Sequence, residues 1–123
     1  MARITAFGGV FVHSADPKAL AAWYRDILGL HIEDWGGAMI RAEGAGPPCG
    51  VWSAFNKDTD HFKPSSREFM INFAVDDLDE FVASLEAKGV EVNGRQQMDG
   101  MGKFAWILDP DGTKIELWQP EQE

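Results

Sequence analysis

The stretch Leu108-Asp109-Pro110-Asp111-Gly112-Thr113-Lys114-Ile115-Glu116-Leu117-Trp118 decides how this chain of 123 residues is read. Asp-Pro-Asp-Gly is turn chemistry, because Pro110 presets φ and Gly112 supplies a permissive backbone. Apolar segments flank it, so the stretch reads as strand, tight turn, strand. In the second strand Ile115 and Leu117 share one face, while Lys114, Glu116 and Trp118 share the other. Glu116 is therefore a lone carboxylate between a lysine and a tryptophan.

Upstream of this stretch, residues 69–75 read as a strand with Met70, Asn72 and Ala74 on one face. Ile71, Phe73 and Val75 on the other face would meet a helix. Asp76-Asp77 opens that helix, Leu78, Phe81, Val82 and Leu85 form its apolar stripe, and Gly89 stops it. Residues 90–92 read as a strand, 93–102 as a loop and 103–108 as a strand with Phe104, Trp106 and Leu108 on one face. The first half has the same plan. Residues 4–13 read as a strand with Gly8, Val10 and Val12 on one side and Phe7, Gly9, Phe11 and His13 on the other. Asp16 caps a helix that Pro17 begins. Its stripe is Leu20, Trp23, Tyr24, Ile27 and Leu28, with Trp23 and Tyr24 expected in the core, and Gly29 ends it. Short strands at 30–35, 38–42 and 50–55 follow, with a loop of small residues and prolines at 44–48. Residues 57–66 are polar and aperiodic, and are the natural linker.

Gly29 and Gly89 lie 60 residues apart, and Asp16 lies 60 or 61 before the Asp76-Asp77 pair. Two copies of one supersecondary unit account for both coincidences. The expected architecture is α+β: β-α-β-β-β modules at about 1–56 and 67–123, paired into a curved, mainly antiparallel sheet around a concave cup. Such a cup is where a small molecule binds.

Composition narrows the function. Net charge is −9, which disfavours nucleic acid and anionic membranes because both need a basic face. The single cysteine, Cys49, leaves no intrachain disulfide and no cysteine-based zinc cluster, and no base or histidine adjoins it in sequence. The first residues lack the apolar core of a signal peptide and no run reaches membrane-spanning length, so a cytoplasmic protein is expected.

Three segments carry a family resemblance. Asp16-Pro17-Lys18-Ala19-Leu20-Ala21-Ala22-Trp23-Tyr24-Arg25-Asp26-Ile27-Leu28-Gly29-Leu30 is the first. Val75-Asp76-Asp77-Leu78 through Lys88-Gly89-Val90 is the second, and Asp109-Pro110-Asp111-Gly112 through Ile115-Glu116-Leu117 is the third. In this order and spacing the chain resembles the vicinal oxygen chelate superfamily of glyoxalase I, bleomycin-resistance proteins and extradiol dioxygenases. The resemblance covers essentially the whole chain. It implies one divalent metal in the cup, held by side chains from the first and last strand of each half. Carried over, the positions fall on Gly9, on Trp52 or Ser53, on Met70 and on Glu116. Glu116 is intact as the metal ligand. Glycine offers no side chain, and a thioether suits soft metals rather than hard ones.

Glu116 is expected to be the site's centre, as base or ligand. His13 is a candidate proton carrier, given the near-neutral unperturbed pKa of imidazole, or a histidine at the rim. Phe11, Trp52, Met70, Asn72, Trp106 and Trp118 are candidates for ligand contact, Asn72 equally for an internal hydrogen bond. His61 is expected in a solvated loop. Two functions follow from the resemblance: a lyase- or isomerase-like enzyme, or a non-catalytic binder of a drug or metabolite. A homodimer is expected by the same resemblance, with the cup within one chain or across two.

Overall fold

The computed structural model describes residues 2–40 and 50–121. Its strands are β1 (Ile4–Ser14), β2 (Gly37–Ile40), β3 (Gly50–Asn56), β4 (Phe69–Val75), β5 (Gly94–Met98), β6 (Gly102–Leu108) and β7 (Lys114–Pro120), with helices α1 (Pro17–Leu28) and α2 (Leu78–Ala87). The strands form one curved open sheet in the order β2-β3-β1-β4-β7-β6-β5. β1 runs parallel to β3 and β4 parallel to β7, while β1 and β4 pair antiparallel at the centre. The α+β fold of paired modules is thus present, and the repeat shows in its details. Asp16 accepts from the Ala19 N–H and Asp77 from the Glu80 N–H, so each helix has a side-chain cap at equivalent positions. Gly29 and Gly89 both take positive φ, 76° and 84°, just past the helix ends. Asp76 has a different job: it accepts from the Arg3 N–H, and that bond holds its carboxyl below the usual range.

Both helices cover the same outer face. Leu78 and Val82 of α2 pack with Val75, Ala105 and Leu117, with Phe73, Phe81, Leu85, Ile107 and Ile115 around them. This is the alternation expected of β4 and β7, one side for the helix and the other for the cup. α1 packs through Ala21 and through Tyr24, whose ring stacks on Trp52 at 4.1 Å. Trp23 was expected in the core, but it is 50% exposed and Ile27 is 63% exposed. The stripe is wider than the contact that α1 makes with the sheet.

Several boundaries differ from those expected. Residues 30–35 form no strand. The Glu33 N–H donates to Gly37 O and the Gly36 N–H to Glu33 O, which closes a local turn ahead of β2. Residues 90–92 form no strand either: the Val90 N–H bonds back to Leu85 at the end of α2, and pairing begins only at Gly94 opposite Trp106. The strand is the polar run Gly94-Arg95-Gln96-Gln97-Met98, expected as loop. It is a sheet edge, so it has no buried face to write an apolar alternation. Asp79 on α2 pairs with Arg95 and Lys103, tying this edge to the helix. Cys49, the loop 44–48 and the end of the strand expected at 38–42 lie outside the described residues.

The strand β1 also departs from simple alternation. Its pairing with β4 shifts register between Phe7 and Gly9. A one-residue bulge reverses the faces beyond it. Phe7 lies edge-on to Phe73 on the helix side, whereas Phe11 packs with Met70 in the cup. Phe7 and Phe11 were expected on one face and are on opposite ones. Among the described residues no helix is long and apolar enough to cross a membrane.

Asp77→Ala and Asp16→Ala should each cost about 1 kcal/mol in urea unfolding, with unchanged m-values. A loss confined to one of them would contradict equivalent capping of the two modules.

Candidate functional site

Glu116 sits on β7 directly beside Asn72 of β4 and opposite Trp106 of β6. The pairing brings three side chains together on the inner face. Asn72 Nδ2 donates to Glu116 Oε1 at 2.6 Å, and Trp106 Nε1 donates to Oε2 at 2.8 Å. Glu116 is 5% exposed and Asn72 2%. A buried carboxylate requires such partners, since an unpaired one costs several kcal/mol. Asn72 therefore makes an internal bond, and its partner is Glu116.

The linker supplies a third neighbour. His61 Nε2 lies 3.7 Å from Glu116 Oε2, and its ring stacks on Phe55 at 5.1 Å with the planes 4° apart. The next residue, Phe62, is 1% exposed and packs on Phe11 and Met70. The linker thus folds over the cup, and His61 is not in a solvated loop. A single aromatic in an aperiodic polar run gave no periodic signal. His13 goes elsewhere. Its ring stacks on Phe62 at 4.4 Å, its Nε2 is buried without a hydrogen-bond partner, and it lines a crevice of about 350 Å³ with Lys57, Thr59 and Ser65.

Lys114 completes the cluster, and sequence reasoning did not select it. It shares Glu116's face, is 7% exposed, and its Nζ donates to the His61 carbonyl. The same Nζ lies 5.4 Å from the centre of the Trp106 ring, a cation–π contact. Burial lowers its pKa, and the nearby Glu116 charge partly opposes that. The signal was available: a strand face that carries Glu116 inward carries Lys114 inward too.

The remaining candidates divide. Met70 is fully buried beneath Phe62. Trp118 stacks with Phe104, and Phe104 with Trp106, an aromatic ladder across β6 and β7; the Trp118 Nε1–H is tied to Met101 O. Phe11 meets Phe55 edge-on at 5.6 Å. Trp52 is placed differently from expectation, because its ring faces α1. Val51 and Phe55 pack with the Phe11–Met70 cluster, and alternation along β3 puts Ser53 on that inner face with them.

The donor set does not fit the divalent ion that the resemblance implies. Ser53, Asn72 and Glu116, with the His61 imidazole 3.7 Å from Glu116, are the polar groups at or beside the four positions. Both Glu116 oxygens already accept from N–H groups, and Asn72 turns its amide donor toward them. A side chain cannot be added at Gly8, where a Cβ would lie 1.8 Å from Asn72 Oδ1, or at Gly9, where it would lie 1.9 Å from Val51 O. Among the described residues no three His, Cys, Asp or Glu side chains are grouped to hold an ion. Glu116 and its neighbour His61 thus bring two such ligands at most, fewer than the three or four protein ligands that hold a divalent ion tightly.

Gly8→Ala should displace Asn72 and cost roughly 1–3 kcal/mol in urea unfolding. The same change in an Asn72→Ala background should cost much less, since the clashing atom is gone. Equal costs in the two backgrounds would contradict the contact.

Comparison with known proteins agrees with this architecture. The family model described as a glyoxalase-like domain matches residues 9–118. No curated protein matches. Among solved structures, methylmalonyl-CoA epimerase from Mycobacterium tuberculosis is 22% identical with a TM-score of 0.64, over 97% of this chain and 90% of that one. An E43Q methylmalonyl-CoA epimerase from Streptomyces coelicolor, in complex with 2-nitronate-propionyl-CoA, is 17% identical with a TM-score of 0.69, over 98% and 100%. An E323L homoprotocatechuate 2,3-dioxygenase from Brevibacterium fuscum is 19% identical with a TM-score of 0.64, over 97% of this chain and 33% of that one. At these identities the likeness is one of fold. With its two modules, its cup and a family match over most of its length, the chain belongs to the glyoxalase-like domain family, within the vicinal oxygen chelate superfamily.

Proposed function

We propose that the chain is a small-molecule enzyme of isomerase or lyase type, which moves a proton at carbon with Glu116 as the acid–base group. The observation that carries this reading is the setting of Glu116: a buried carboxylate, fixed by Asn72 and Trp106, with an imidazole 3.7 Å away. A carboxylate oxygen accepts more than one hydrogen bond, so each keeps a lone pair for a substrate proton. Fixing the group beforehand reduces the reorganisation that proton transfer requires. The His61 side chain is 36% exposed against 6% for Glu116, so it stands between the buried carboxylate and water. In this scheme Glu116 takes a proton from a carbon next to a carbonyl, and the C–H electron pair moves toward the carbonyl oxygen. The proton returns to carbon or passes to solvent through His61. No step needs a bound metal. Two of the structural neighbours are named epimerases, and epimerisation at such a carbon is one reaction of this class.

The second reading, a non-catalytic binder of the bleomycin-resistance kind, draws support from the ring-rich inner face of Phe11, Phe55, Phe104, Trp106 and Trp118. One experiment separates them. In D2O, a panel of 2-oxo acids, hydroxyketones and thioesters is followed by NMR for exchange at the carbon beside the carbonyl. Enzyme function predicts exchange above the buffer rate for at least one class, lowered roughly 10²–10⁴-fold by Glu116→Gln. Saturable quenching of tryptophan fluorescence without any exchange would favour the binder.

A further inference from the structure

We infer that Lys114 is the oxyanion-binding group of the cup, and that its ligands are carbonyl compounds in which one oxygen carries or gains negative charge. The inference deepens the proposed function and rests on that reading for the reaction, though not for the binding. Lys114 and Glu116 are two residues apart on one strand face, and the same few groups hold both. Trp106 donates from its ring nitrogen to Glu116 and offers its ring to Lys114, while His61 faces Glu116 with its imidazole and Lys114 with its carbonyl oxygen. A cation and a carboxylate are therefore fixed side by side at 7% and 5% exposure, in a protein whose net charge is −9.

Lys114 is not spent on a direct hydrogen bond to Glu116. Here the carboxylate's hydrogen bonds come from Asn72 and Trp106, and the ammonium donates instead to a backbone carbonyl. An ammonium has three N–H donors. One is used on His61 and another can rest on the indole face, so at least one remains for a ligand. Lys114 is 7% exposed, and a hydrogen bond from an ionised donor is stronger than a neutral one. The chemistry then balances within the cup. Glu116 removes the proton, the C–H pair becomes the C=C bond of an enolate, and the carbonyl π pair becomes an oxyanion facing Lys114. Return of the proton to carbon reverses both shifts. A fixed lysine supplies here the positive charge that the poor metal-donor set does not bring.

The test uses oxalate, a planar carboxylate probe with no exchangeable C–H, titrated against tryptophan fluorescence and against the Trp106 indole N–H signal. Wild type should bind it saturably with a shift of the Trp106 signal. Lys114→Met should weaken binding by at least about tenfold, from loss of a charge-assisted hydrogen bond. Glu116→Gln should bind oxalate at least as tightly as wild type, because a neighbouring negative charge is gone. Failure of deuterium exchange with these results intact would reject the reaction but leave the oxyanion site standing. Equal affinity in wild type and Lys114→Met would overturn the site. Should Lys114→Met not fold, the wild-type spectrum still decides: oxalate up to tens of millimolar with no shift of the Trp106 signal sinks the inference.

Discussion

The structure of the inner face depends on one buried carboxylate. A glutamate at 5% exposure is tolerable only if its charge is met by donors, and Glu116 meets them on two other strands. That requirement explains residues that otherwise look unrelated. Asn72 is polar in a strand of apolar neighbours because it donates to Glu116. Gly8 is glycine because Asn72 fills the space a side chain would occupy. Trp106 faces inward with its ring nitrogen on the carboxylate, and the rest of its ring supports Lys114 and stacks with Phe104. A hydrogen bond to a charged group is typically worth about 1.5–3 kcal/mol, and these side chains form one network around the carboxylate.

The fold was legible to the extent that burial imposes a period. The α2 stripe, the two Asp caps, the paired glycines and the inward set on β4 and β7 all follow from alternation or capping. Elements that do not bury a face were not legible. β5 is a polar edge strand, and residues 90–92 lost their strand to the last turn of α2. On β1 one bulge at Gly8 separated Phe7 from Phe11, a reversal that no alternation rule can locate.

The site was legible in part for the same reason. The inward placement of Glu116, Asn72, Trp106 and Trp118 follows from strand parity. Trp52 was paired with Ser53 as an alternative, and its stacking on Tyr24 selects Ser53 for the inner face. His61 was missed because nothing in a polar linker reports that it folds back onto the sheet. Phe62 holds it there by burying its ring against Phe11 and Met70, a contact between segments distant in sequence. Lys114 was on the right face from the start, but a lysine on a strand is ordinarily solvated. The linker above it, through the His61 carbonyl, and the Trp106 ring beside it bury it.

Glu116, held by Asn72 and Trp106, stands where the superfamily resemblance implies a metal ligand, but among the described residues no group of three ligands surrounds it. Calorimetric titration of chelator-treated protein with Zn²⁺, Ni²⁺ and Mn²⁺ addresses it directly. The predicted result is no saturable site of one ion per chain that depends on Glu116. Binding of one ion per chain, abolished by Glu116→Gln, would contradict the account.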